Sequence, residues 1–181
     1  MNITLPSGPD LIRAVIESLN QGEALLAQMP DEAYTRKVPV AFNASIGGHY
    51  RHCLDHFRCL LEAAPAGNLN YDQRERGTLV ESDRYAALNA TRELRRSFEQ
   101  LDACMLARVL TVTCKSSYAT NGPQTSPSTV GREIMYAVAH AVHHYALIGI
   151  MAGLMNVPLP QQFGVAPATV KFQSEQSRAD T

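Results

Sequence analysis

The 181-residue sequence contains no tryptophan and only three lysines, Lys37, Lys115 and Lys171. Arginine makes up the rest of its 16 basic residues, which are scattered among 17 acids and leave a formal net charge of -1. No basic run that could follow a phosphate backbone is present, and no acidic tail. Nucleic acid is therefore not an expected partner. The four cysteines, Cys53, Cys59, Cys104 and Cys114, form no CxxC pair. No basic n-region followed by an apolar stretch opens the chain, so no secretory signal is read, and free thiols in a reducing cytoplasm are expected. The most apolar stretch, "YALIGIMAGLM", falls short of the ~20 residues that span a bilayer, so no membrane partner is expected. There is no P-loop, GxGxxG or GxSxG, which leaves nucleotide, dinucleotide and hydrolase-elbow functions without support.

What the sequence does have is helical periodicity and clustered histidine. With 45% hydrophobic and 18% charged residues it has the composition of an ordinary globular chain, long enough for one self-sufficient core. Four long segments carry an apolar period of 3.6. The first runs from about Asp10 to Met29, with Leu11, Val15, Leu19, Leu25 and Leu26 along one stripe and Gly22 in its middle. The second opens at Asn43 or Ser45 and ends at Glu62, before "AAPAGN". The third spans about Ser82 to Leu106, after the polar loop "NLNYDQRERGT". The fourth begins at Ser128 or Thr129 and ends near Met155. Between the last two, "RVLTVTC" alternates like a short strand or hairpin arm, and "KSSYATNGPQTSPST" reads as a loop with a turn at its "NG". The expectation is an all-α, four-helix bundle with at most a short strand pair before its last helix. It forms one domain over residues 1–172, with residues 173–181 a flexible tail.

All six histidines fall in two windows, "HYRHCLDH" in the second segment and "HAVHH" in the fourth. At ~100° per residue, His52 lies about 60° and His56 about 20° from His49, so one helix face carries all three. His140 and His144 are i, i+4 neighbours about 40° apart, the spacing that lets two imidazoles bind one ion. His143 lies off to the other side of His140. One histidine of the second helix plus the His140/His144 pair would give three neutral nitrogen ligands, with a position left open for water or substrate. Zinc, nickel, iron and copper all suit imidazole, so the donor set does not choose the ion. The competing explanation of such a cluster is a titrating pH sensor. A zinc-peptidase HExxH is absent, because Ala141 stands where the glutamate would be.

At "SIGGHYRHCLDHF" and "REIMYAVAHAVHHYALIGIMAGL" the sequence resembles the DinB-like superfamily, metal-binding four-helix bundles that include thiol-dependent transferases and isomerases. The resemblance covers most of the chain through the order and length of its helices. It implies an up-down-down-up bundle, frequent homodimerisation and a divalent ion, zinc or nickel first and iron next. It places the ligands at His52, His140 and His144, with His49, one turn earlier, the rival for the first. The remaining histidines, His49, His56 and His143, are then supporting or cavity residues, as is Tyr136, one turn before His140. It also implies a small-molecule substrate, a low-molecular-weight thiol, that the ion would activate. Cys53 is a candidate thiolate near His49, although a buried, inert cysteine is the commoner case. Asp72, Arg74 and Arg76 in "YDQRERG" are candidates for an anionic substrate or simply a solvated loop. A non-catalytic bundle that binds metal for stability, sensing or interaction is the reading from a different class.

Overall fold

The computed structural model describes residues 8–73, 75, 77–119 and 122–179. Helix α1 (Gly8–Gln28) leads through the short α2 (Asp31–Thr35) and a 3-10 turn to α3 (Ile46–Ala66). A strand β1 (Asn68–Asn70), a one-turn α4 (Leu79–Ser82) and α5 (Arg84–Glu99) follow. After a second 3-10 turn come β2 (Val109–Cys114), β3 (Gln124–Thr129), α6 (Val130–Leu154) and α7 (Pro167–Ala179). The protein is thus mostly helical with a small three-stranded sheet. The four long helices contact one another in a ring, α1 against α5 and α6, and α3 against α5 and α6.

Local chemistry sets the ends of the two helices that matter most. Ser45 caps α3, its Oγ accepting from Gly48 N at 3.1 Å, and Thr129 caps α6 by accepting from Arg132 N at 3.2 Å. Each satisfies an amide that the helix leaves without a partner, a contribution of about 1 kcal/mol. Inside the ring the α1 stripe is fully buried at Val15, Leu19, Leu25 and Leu26. Phe57 of α3 meets Phe98 of α5 edge-on at 5.8 Å. Each such buried side chain contributes about 1.5–3 kcal/mol by leaving water. Gly22 has a specific reason to be glycine. A β-carbon there would collide with the hydroxyls of Tyr50 and Tyr145, whose stacked rings lie 6.1 Å apart across the core. The Tyr50 hydroxyl is matched by Thr91 Oγ1 at 2.8 Å.

Four segments depart from the sequence expectation. Helix α5 stops at Glu99 rather than near Leu106, because the Asp102 carboxylate captures Cys104 N at 2.9 Å and opens a 3-10 turn. Helix α3 continues through Pro65 to Ala66, where Gly67 at φ +80° closes it by donating to Ala63 O at 2.8 Å. A proline in the last turn forfeits only one helical hydrogen bond. The sheet is larger than a possible strand pair. β2 pairs antiparallel with β3, so "QTSPST" is strand rather than loop, and "NLN" joins β2 in parallel as β1. The predicted turn at Asn121 lies outside the described residues. Finally, α7 makes helix of a stretch for which the sequence suggested no element.

Helix α6 is long and apolar enough to cross a bilayer by length and composition, which a search for unbroken apolar runs does not reveal. Its Ile134, Ala137, Ala141, Tyr145 and Ile148 are buried against the other helices. That is the pattern of a core helix in a packed domain.

Candidate metal centre

The packing of α3 on α6 turns two histidine faces toward each other. His52 Nε2 lies 2.9 Å from His140 Nε2. The His144 ring centroid is 4.7 Å from that of His52 and 4.5 Å from that of His140. One ligand nitrogen from each of His52, His140 and His144 falls within 4.8 Å of the other two, and all three side chains are half-buried. Nitrogens bound tetrahedrally at 2.0–2.1 Å stand about 3.3 Å apart. The His52–His140 pair at 2.9 Å is a little closer than that figure, and the three nitrogens all lie within 4.8 Å of one another. Three convergent imidazole nitrogens fit a divalent ion.

The other histidines occupy distinct positions. His49 Nδ1 lies 2.9 Å from His144 Nδ1, a pairing that needs one shared proton. Burial, and then the neighbouring His143, hold the His49 imidazole below its ordinary pKa. A neutral His49 can accept the Nδ1 proton of His144 and leave His144 Nε2 bare, the support a metal-ligating histidine commonly receives. His56 is 4 % exposed and its Nδ1 donates to the His52 carbonyl at 2.9 Å. Its ring lies 4.1 Å from His140 and stacks on Tyr71 at 4.9 Å. His143 is exposed and meets the His144 ring edge-on, 5.3 Å between centroids.

A cavity of about 550 Å³ opens beside the histidines. His52, His56 and His140 line it, together with Cys114 of β2 and Ser126 and Ser128 of β3. Tyr136 stands at this cavity rather than over the core. It is 37 % exposed, and its ring stacks on His140 at 5.7 Å. Cys53, in contrast, is buried in the core and stands apart from the convergent group. Burial pushes its thiol pKa well up, which removes the thiolate candidate. Asp72 lines the cavity, its carboxylate accepting from Lys115 N at 2.5 Å. Arg74 and Arg76 lie outside the described residues.

Sequence reasoning missed Glu133, Tyr71 and Ser128. Glu133 is only 2 % exposed, yet lines the cavity and accepts hydrogen bonds from Tyr71 Oη at 2.8 Å, Ser128 Oγ at 2.6 Å and Arg132 Nη1 at 3.0 Å. A signal for it existed. Glu133 precedes His140 by seven positions, two turns, and so shares its face.

A family model of the DinB superfamily matches residues 16–148, most of the chain and both histidine windows. The chain belongs to the DinB superfamily. Among solved structures, this DinB-superfamily chain is similar to a DinB-like protein of Bacillus subtilis, YjoA. The two share 18% identity and a TM-score of 0.62 over 85% of this chain and 98% of that one, a likeness of fold. Among curated proteins it is 31% identical over 108 residues to FK506-binding protein 5 of Rhizopus delemar. That match covers 60% of this chain but only 28% of the relative's own length.

Proposed function

We propose that this DinB-superfamily chain is an up-down-down-up four-helix bundle that binds a divalent ion through His52, His140 and His144. In this reading it is a metal-dependent enzyme acting on a small thiol or with water, of the thiol transferase or isomerase type. The observation that carries the proposal is the convergence of three imidazoles beside an open cavity of about 550 Å³. A site meant only to hold an ion is usually closed by a fourth protein ligand, whereas one that works on a substrate keeps a position accessible. Zinc or nickel is the expected ion, with iron next. When bound, it would supply Lewis acidity, favouring the deprotonated form of a coordinated thiol or water at neutral pH. The chain's own residues do the rest. His49 orients His144, His56 and Tyr136 pack against His140, and the cavity walls position the substrate beside the imidazoles. The reading extends to a cytoplasmic homodimer with a small-molecule substrate and neither nucleic acid nor membrane as partner. The near-neutral charge supports the absence of a nucleic-acid partner.

The test is elemental analysis of protein purified without a histidine tag, followed by cobalt substitution. One divalent ion per chain is expected, lost in His140→Ala, with a cobalt spectrum that changes when small thiols are added. Absence of a stoichiometric ion from the wild type, together with a His140→Ala variant of unchanged stability, refutes the metal site. An ion whose removal lowers only the melting temperature, with a cobalt spectrum indifferent to thiols, favours the non-catalytic metal-binding bundle.

A further inference from the structure

The hydroxyl-bearing part of the cavity lining has a chemistry of its own. Tyr71, Ser116, Ser126 and Ser128 bring hydroxyl groups to it, and Tyr136 a fifth. A hydroxyl has one proton to donate and lone pairs to accept with. In four of them, all but Tyr136, the hydroxyl donates within the protein. Tyr71 and Ser128 donate to the two carboxylate oxygens of Glu133 at 2.8 and 2.6 Å. Ser116 donates to Gln124 Oε1 at 2.7 Å, and Ser126 to Pro127 O at 3.4 Å. What these four present to the cavity is therefore lone pairs. Burial, and then the hydrogen bond to Glu133, also hold the Tyr71 phenol above its ordinary pKa, so its oxygen stays neutral. Charge does not override this pattern. The cations Arg132 and Lys115 line the cavity with the anions Glu133 and Asp72, two of each sign, and Arg132 is ion-paired to Glu133 at 3.0 Å.

We infer that Glu133, by holding the hydroxyl protons of Tyr71 and Ser128, makes this wall a hydrogen-bond acceptor that selects small uncharged ligands bearing O–H or N–H donors. A ligand without a donor would cover those lone pairs and leave them unpaired, and that loss is what discriminates. In placing a reactive thiol end at the imidazoles, the inference rests on the proposed function. The donor selectivity of the wall can be tested separately.

The probes are ω-hydroxyalkanethiols of two to six carbons and their O-methyl ethers, which keep the thiol and the oxygen but lose the donor. Calorimetry on the metal-free protein reads the wall, and the cobalt spectrum of the loaded protein reads the imidazole site. At the best chain length the alcohol is expected to bind about tenfold or more tightly than its ether. In Glu133→Gln the carboxamide keeps one accepting oxygen and puts an N–H donor in place of the other, so one of the two hydroxyl protons is released and the ratio should fall about threefold or more. Tyr71→Phe and Ser128→Ala should each lower the ratio part of the way, and they serve if Glu133→Gln does not fold. Equal affinities in the wild type, no measurable binding of either probe, or a ratio unchanged in all three variants overturns the inference. A preference for the alcohol with a silent cobalt spectrum supports the wall and counts against the thiol chemistry. A cobalt shift with equal affinities does the reverse.

Discussion

Replacing His49 by phenylalanine separates a supporting histidine from a ligand. Phenylalanine keeps a ring where His49 and His144 now lie 5.1 Å apart, but has no nitrogen to share the proton bridging the two Nδ1 atoms at 2.9 Å. His144 then faces two unfavourable options. It can keep its proton on Nδ1, half-buried and without its present partner, at a cost of about 1–3 kcal/mol. Or it can move that proton to Nε2, which blocks the nitrogen left for the ion. Either way the affinity for zinc should fall by about 10- to 100-fold, or about 1.4–2.7 kcal/mol. Competition against a chromophoric chelator at pH 7.5 measures this directly. His143→Phe is the control, because His143 is exposed and touches His144 only edge-on, and it should change the affinity by less than about twofold. His52→Ala should abolish stoichiometric binding. A His49→Phe affinity within about threefold of wild type would refute the orienting role. A loss as complete as that of His52→Ala would make His49 a ligand and overturn the assignment of His52, His140 and His144.

Two further outcomes follow from the same geometry. In the metal-free protein the His49 imidazole titrates below its ordinary value of about 6.5, so below that pH the unfolded chain binds the additional proton. Stability should be complete above pH 6.5 and decline as the pH falls toward the folded-state pKa. The urea midpoint of the wild type should drop further between pH 7.5 and 5.5 than that of His49→Phe, and parallel curves would contradict this. Gly164 sits at φ +71°, and a β-carbon there would lie 2.6 Å from Ala146 N of α6. Gly164→Ala should cost about 2–4 kcal/mol in a denaturant titration, from a left-handed backbone and backbone overlap together. A loss under about 1 kcal/mol would show that the loop moves aside freely.

The parts of the fold legible in the sequence are those in which a residue acts on its near neighbours. Ser45 and Thr129 cap α3 and α6 by accepting amides three positions on, so each stood among the two starts read for its helix, Asn43 or Ser45 and Ser128 or Thr129. The stripe of α1 and the shared faces of the histidines follow from the helical repeat alone. The end of α5 was missed although Asp102 was in plain view, because an apolar period running on to Met105 outweighed one capping carboxylate. β1 was missed because three residues, Asn68 to Asn70, carry no pattern of their own. They are strand because β2 lies alongside, with Asn68 opposite Thr111.

The sequence by itself determined that two helices would each bear a histidine face and that His140 and His144 would stand together. Tertiary structure decided which second-helix histidine joins them. His49 and His52 are one turn apart on the same face, and only the approach of α6 to α3 brings His52 to His140 while leaving His49 beside His144. It also decided that Glu133, Tyr71 and Ser128, from α6, the segment after β1 and β3, meet at one carboxylate on the cavity wall. Periodicity assigns a side chain to a face. Which faces then meet, and which protons are taken up between them, depends on contacts between residues as much as 130 positions apart.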